Sequence, residues 1–328
     1  MLLAGDIGGT RTRLALYESA GGTLSLVQTT TYPSRSASTL EELVVQFLSA
    51  HGSPEVSAAC FGVAGGVVAK QVRATNLPWR VSESGLAQTL GIPRVRLIND
   101  LEAAAHGVLA ISDPSSFLTL QAGEPPAGHQ RFILVAAGTG LGVAAMSWDG
   151  HRYQVRPSEG GHIDFAPQDE VEDALLVSLR ARFGHVSYER VLSGPGLVNI
   201  YRFLRQYRNA PEPAWLAERI AQQDPAAVIS AAAIGQEDPV CDEALTRFVS
   251  IYGAAAGNFA LAALSVGGVY IGGAIAVKNL ARLEIGPFLQ SFAAKGRFTE
   301  AMKAMPVHVV LSTDAALMGA AACAASSE

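Results

Sequence analysis

Cysteine is scarce in this sequence: Cys60, Cys241 and Cys323 lie far apart and form no CxxC pair. That spacing excludes a disulfide framework and a paired-cysteine zinc site, and it fits a reducing, cytoplasmic setting. Basic residues are also few. The chain has 24 Lys plus Arg against 29 Asp plus Glu, a net charge of −5, and no basic run, which argues against nucleic acid as the main partner. A nucleotide remains open, because backbone amides and a metal can hold its phosphates. No secretory signal is expected, since Asp6 ends the apolar run Met1–Ala4. No Lys, Arg, Asp or Glu occurs between Arg247 and Lys278, enough to span a bilayer. Gly267-Gly268 and Gly272-Gly273 break that stretch, so the expectation is a buried helix up to about Leu264, then a strand Val269–Ile271, and no membrane partner. Two phosphate-binding signatures are missing as well. There is no GxxxxGK[ST], and no GxGxxG follows a strand and opens a helix.

What the chain does contain is 328 residues, 49% of them hydrophobic, enough for about two domains with sizeable cores. The reading centres on Arg94–Glu102. Val95, Leu97 and Ile98 predict a short buried strand, and Leu101–Ala110 a helix, with Asn99 and Asp100 at the junction. Residues there are enriched as helix N-caps. In α/β folds, ligands also sit beyond the carboxyl ends of strands, where a carboxylate can meet a substrate.

The start of the chain reads as strand, Gly5-Asp6-Ile7-Gly8-Gly9-Thr10, strand, Gly21-Gly22 turn and a third strand. A plain hairpin needs fewer glycines. Glycines let a phosphate approach the backbone amides, and Thr10 adds a hydroxyl donor. The middle repeats the scheme: strand Arg131–Ala136, turn Ala137-Gly138-Thr139-Gly140, strand Leu141–Trp148, Asp149-Gly150 turn, strand Arg152–Val155. Such a repeat at domain scale predicts two similar lobes, with one glycine turn from each available to a phosphate chain. Between these, a helix over Ser38–Ala50, a strand Val56–Val63, a further strand Val67–Ala74 and a helix Ser82–Leu90 are expected, in a mixed sheet with helices packed on it.

Asn99, Asp100, Glu159, His162 and Glu189 all fall in loops or at element ends. A polyhydroxyl substrate needs such a set of donors and acceptors, since a missed hydrogen bond in a closed site costs ~1–3 kcal/mol. With the glycine turns, this points to a sugar kinase. A zinc hydrolase built on Glu159, His162 and Asp164 is the weaker reading: there is no HExxH and no second histidine close by.

The chain resembles the bacterial ATP-dependent glucokinase family, of the actin, chaperone and hexokinase superfamily, nearly end to end. The likeness is carried by Gly5–Thr10, Ile98-Asn99-Asp100, Ala137–Val143, Glu159-Gly-Gly-His-Ile-Asp-Phe-Ala-Pro167 and Glu189-Arg-Val-Leu-Ser-Gly-Pro-Gly-Leu197. The resemblance implies a two-lobed actin-like ATPase (ribonuclease H-like) α/β fold with a duplicated mixed sheet and an interlobe active-site cleft. The small lobe would be 1–111 plus about 312–328, and the large lobe 112–311. It implies that Asp100 is the base on the 6-hydroxyl of D-glucose and that Asn99, Glu159, His162 and Glu189 hold the other hydroxyls. Gly5, Asp6, Ile7, Gly8, Gly9, Thr10 and Gly138, Thr139, Gly140 would line the phosphates of ATP, and Gly272-Gly273 the adenosine. Asp6 would position Mg²⁺ through water. A cytoplasmic homodimer is implied too. Some positions depart from the family pattern: Arg11 stands where Asn is usual, and Ala64-Gly65-Gly66 lacks the usual proline and aspartate, although Thr75-Asn76 and Trp79 match. The zinc-binding cysteines of the related repressor and kinase group are absent. A sugar-binding regulator without catalysis, or a kinase of a related hexose, is the alternative.

Overall fold

The structure, a computed structural model, describes residues 1–328 apart from Gly22, Thr75, Asn76, Ser327 and Glu328. The family match at Thr75-Asn76 and half of the Gly21-Gly22 turn therefore lie outside the described residues. Two compact units appear. The first comprises 1–116, 155–157 and 312–328, the second 117–154 and 158–311.

In the first unit, β1 (Leu2–Ile7), β2 (Arg11–Ala20), β3 (Thr23–Pro33) and β4 (Ala58–Val63) are followed by a small sheet of β5 (Val67–Val68), β6 (Gln71–Arg73) and β7 (Arg80–Ser82), and then by β8 (Val95–Asn99). The main sheet has the order β3-β2-β1-β4-β8. β1, β4 and β8 run parallel, while β2 and β3 form an antiparallel meander beside them. Every residue of β4 is buried, as expected of a parallel strand covered on both faces. One face packs on helices Leu40–Ala50 and Glu83–Leu90 through Leu40, Leu43, Phe47, Phe61 and Leu86. The other carries Cys60, Ile98, Ala103, Leu317, Ala321 and Cys323, so helix Ala315–Ala325 belongs to this core. Thr39 caps the first helix, accepting the Glu42 amide, while the Glu42 carboxylate accepts the Ser38 amide, which is capping-box logic.

The single strand expected over Val67–Ala74 is instead a hairpin. Ala69 and Lys70 take left-handed backbone (φ 48° and 62°) and return the chain so that Val67 pairs with Val72. Neither is a glycine or asparagine, so the turn carries no mark in the sequence. β7 is likewise not expected from the sequence, which reads Ser82 as the start of the following helix.

The second sheet comprises β9 (Phe117–Gln121), β10 (Phe132–Ala137), β11 (Leu141–Trp148), β12 (Tyr153–Ser158), β13 (Gly268–Gly272) and β14 (Val307–Val310), in the order β12-β11-β10-β13-β14-β9, and all of it but 155–157 falls in the second unit. β10, β13 and β14 are parallel, β11 is antiparallel to β10, and β9 is antiparallel to β14. Without β9, an added edge strand, the order repeats that of the first unit, and so do the directions of β11, β10, β13 and β14, as the repeated strand–glycine turn–strand pattern predicts. The charge-free stretch divides as expected. Helix Pro239–Ala263 ends at Leu264 (φ 49°), and β13 follows. Among the described residues no helix is long and apolar enough to cross a membrane. Pro239 opens this helix at its first turn rather than breaking one, and Asp238 caps it, accepting the Cys241 amide at 2.8 Å. All three cysteines are free and buried.

Candidate active site

Parallel strands end on one edge of a sheet. In the first unit that edge brings together Asp6-Ile7, Val63-Ala64 and Asn99-Asp100, since Asp6 registers with Gly62 and Val63 with Asn99. The turn after β1 is pinned rather than loose. The Gly8 amide donates to the Arg11 carbonyl (2.9 Å), and the Ser34 hydroxyl donates to the Gly8 carbonyl (2.7 Å). Ser34 and Thr12, both fully buried, share a further hydrogen bond. No sequence feature singles Ser34 out for this role.

Helix Asp100–Ala110 starts at the end of β8. Asn99 is its N-cap, accepting the Leu101 amide at 2.8 Å, and donates its own amide to the Gly65 carbonyl at 3.1 Å. One Asp100 oxygen also accepts the Leu101 amide, at 2.9 Å. The capping role is therefore real. Gly62 lets the helix approach: a Cβ built there would touch Ala103 and lie 3.7 Å from the Asp100 Cα. A glycine inside a buried strand is the sequence signal for such an approach.

Burial pushes the Asp100 carboxyl up, against the hydrogen bonds from Leu101 and its own backbone that favour its charge. Asp6 is also pushed up, first by burial and then by the charge of Asp100, while Arg13 across the β1–β2 pair opposes the shift. Two buried carboxylates that resist ionisation, one of them in the field of the other, suit a divalent cation. Mg²⁺ is commonly held by one or two carboxylates with waters and substrate phosphates, so this donor set fits it. Arg13 also pairs with Asp314 and donates to the Thr313 carbonyl (2.8 Å), at the head of helix Ala315–Ala325.

In the second unit the candidate residues meet around the start of β11. The turn Gly138–Gly140 closes with Gly138 N–H on the Gly140 carbonyl, and Gly194 N–H reaches the Gly138 carbonyl, both 2.8 Å. Glu189 sits in a short turn, Tyr188–Arg190, held from below by buried Tyr188, whose hydroxyl accepts from Asn258 at 2.7 Å. Its carboxylate accepts the Leu141 amide at 3.0 Å and lies against Gly140. The short turn Gly160–His162 packs on Leu141 through Gly161. Glu159 and His162 there are exposed, 3.8 Å apart. Asp164 turns away from them to His185, at 2.7 Å. Among the described residues no group of three or more His, Cys, Asp or Glu is arranged to hold a metal.

Gly272 and Gly273 end β13 beside the end of β10, where Ala136 registers with Gly272. Gly273 has φ 88°, and a Cβ would strike the Ala137 backbone, so only glycine fits. The buried Tyr252 hydroxyl accepts the Ala137 amide (3.2 Å) and faces the carbonyls of Val135 and Gly272. It ties the two strand ends together, a link with no trace in the sequence.

A sequence model of the family described as Glucokinase matches residues 3–327. A Nostoc protein named glucokinase is 42% identical over 343 residues, covering 99% of each chain. The crystal structure of a glucokinase from an Antarctic psychrotroph matches with a TM-score of 0.88 and 32% identity over 98% of each chain. A ROK family glucokinase from Streptomyces griseus, solved with glucose and AMPPNP, shares the fold at a TM-score of 0.64 and 24% identity, covering 98% of each chain.

Proposed function

Because this chain belongs to the glucokinase family, we propose that it moves the γ-phosphate of ATP to the 6-hydroxyl of D-glucose, giving glucose 6-phosphate and ADP. The observation that carries the reading is Asp100: a half-buried carboxylate at a strand end, at the head of the helix whose Leu101 amide it accepts. The 6-hydroxyl oxygen attacks the γ-phosphorus, the bond to the ADP oxygen breaks, and the hydroxyl proton passes to Asp100. Phosphoryl transfer is chiefly positioning and charge stabilisation. Asn99, Glu159, His162 and Glu189 do the positioning, as hydrogen-bond partners of the remaining sugar hydroxyls. Gly5–Thr10 and Gly138–Gly140 offer backbone amides to the phosphates, and Gly272-Gly273 accommodates the adenosine. Bound Mg²⁺ supplies charge neutralisation of those phosphates, with Asp6 holding it through water. A cytoplasmic homodimer, with no nucleic-acid or membrane partner, completes the proposal.

A coupled assay with glucose, ATP and Mg²⁺ tests this directly. Glucose-dependent ADP formation is expected, and its absence alongside tight glucose binding would favour a sugar-binding regulator. Running the assay with other hexoses separates glucokinase from a kinase of a related sugar. Glu189→Gln and Glu159→Gln keep the shape of the side chain and remove its charge. Calorimetric glucose affinity is expected to fall ~10-fold in each, the scale of losing a charged hydrogen bond, while kcat at saturating glucose changes much less. A fall in kcat with unchanged affinity would move these residues into the chemistry.

A further inference from the structure

Cys60 and Cys323 are far apart in the sequence, and the fold brings them together. Cys60 lies in β4 and Cys323 near the end of helix Ala315–Ala325. Both are buried on the sheet face that also holds Leu2, Ile98 and Leu317. There the Cys60 S–H donates to the Cys323 sulfur. A buried cysteine is ordinarily a small hydrophobe, and that accounts for Cys241. It is the one cysteine of the second unit, and burial pushes its thiol up to about 12. Two thiols in contact are a different case, because together they can exchange electrons.

The pair is also unequal. A cavity of about 830 Å³ in the first unit is lined by Lys70, Glu83, Arg96, Glu102 and Cys323, among others, and Cys60 is not part of its wall. A small molecule in that cavity meets Cys323 first. The hydrogen bond from Cys60 holds the Cys323 thiol below its usual range, with help from Arg96 and against burial, Glu102 and Glu83. Burial, followed by the bond to Cys323, pushes the Cys60 thiol well above its usual range. The thiolate is the form that attacks a peroxide, and a thiol beside it can resolve the product.

We propose that Cys60 and Cys323 are an oxidation site for hydrogen peroxide, with Cys323 as the attacking sulfur and Cys60 as the resolving one. The Cys323 sulfur attacks one peroxide oxygen, the O–O bond breaks, and the other oxygen leaves as water after taking up a proton. Cys323 is then a sulfenic acid, oxidised at the expense of the peroxide. The Cys60 sulfur attacks the Cys323 sulfur, the S–O bond breaks, and that oxygen leaves as a second water with the Cys60 proton. Two thiols and one peroxide thus give one disulfide and two waters. The sulfurs need only close from hydrogen-bond contact to a bond of ~2.05 Å. The product ties the last helix to β4 across a stretch of chain that includes the whole second unit, so the first unit can no longer shed that helix.

The test is mass spectrometry of the reduced whole chain before and after a small excess of hydrogen peroxide, with alkylation of the remaining thiols in denaturant. Reduced protein is expected to take three alkyl groups, one for each free cysteine. Oxidised protein is expected to lose two hydrogens and take a single alkyl group, on Cys241. Digestion should yield one linked pair of peptides, carrying Cys60 and Cys323, and a reductant should restore all the thiols. Cys241→Ala is expected to form the link as wild type does. Cys60→Ala should form no link and gain oxygen at Cys323. Cys323→Ala should form no link and keep Cys60 alkylatable. The wild-type result stands alone if a core variant fails to fold. Full alkylation after peroxide, a link through Cys241 or between two chains, or sulfinic acid at Cys323 with Cys60 still a thiol would each overturn the proposal. Phosphorylation of glucose does not enter the measurement, so failure of the kinase reading would leave the result intact.

Discussion

Asp100→Asn is expected to lower kcat by ~10²–10⁴-fold, the usual scale for losing a general base, with glucose affinity changed far less. Asn keeps the size of the side chain and the bond from the Leu101 amide, and it cannot take the proton. The pH profile of the wild type carries a second signature. Burial pushes the Asp100 carboxyl up, so activity is expected to rise with pH through a point above the ordinary carboxylate range, and the residual activity of the variant should lack that rise. Stability should move the other way. With a raised folded pKa, the contribution of Asp100 to stability is complete below its unfolded value and is lost as pH rises through the folded one. At neutral pH the charged, half-buried carboxylate is therefore a burden, and Asp100→Asn should unfold at an equal or higher temperature than wild type. Near-native kcat in the variant would remove Asp100 from the chemistry, and a large fall in melting temperature would contradict the burial argument.

Gly319→Val should produce the largest loss of stability. A Cβ at Gly319 would run into the Ala103 carbonyl and the Gly107 amide, and one at Gly107 would meet the Ala315 carbonyl. Helices Asp100–Ala110 and Ala315–Ala325 thus touch backbone to backbone, with no flexible side chain able to give way. Valine must push the two helices apart, at a cost of roughly 3 kcal/mol or more, the upper range for overpacking. Ala322→Val, on the half-exposed side of the same helix, is expected to cost less than about 1 kcal/mol, a propensity effect. Urea midpoints compare the two. Because Asp100 begins one of these helices, Gly319→Val should also lower activity before it unfolds the protein, whereas Ala322→Val should not.

The parts legible in the sequence are those whose signal is local. Val95–Asn99 followed by Asp100–Ala110 could be read because strand and helix periodicities meet at two polar residues, and the glycine turns because so many glycines exceed what a hairpin needs. The close packing at Gly319 could be read from an alanine-rich helix holding one glycine. Other features depend on partners far along the chain. β9 pairs with β14, nearly two hundred positions later, and its five residues between loop-forming segments are too few for their alternation to stand out. The bond from the Leu141 amide to Glu189 and the Tyr252 hydroxyl between two strand ends likewise need the fold before they exist. The hairpin at Ala69-Lys70 escaped for a different reason: its left-handed residues are not the ones that usually mark a turn.

The first unit draws one of its core helices, Ala315–Ala325, from chain that follows all of the second unit. On the ribosome the usual order, in which the N-terminal domain finishes first, is therefore reversed. Residues 117–311 can complete their own core while β1, β4 and helix Asp100–Ala110 wait with one apolar face uncovered. Leu2, Ala4, Cys60 and Ile98 on that face stay open to chaperones or to other nascent chains until Leu317, Ala321 and Cys323 emerge. A nascent chain stalled at residue 311 is thus expected to show a protease-resistant second unit and a protease-sensitive first one, even though every strand of the first unit has already been made.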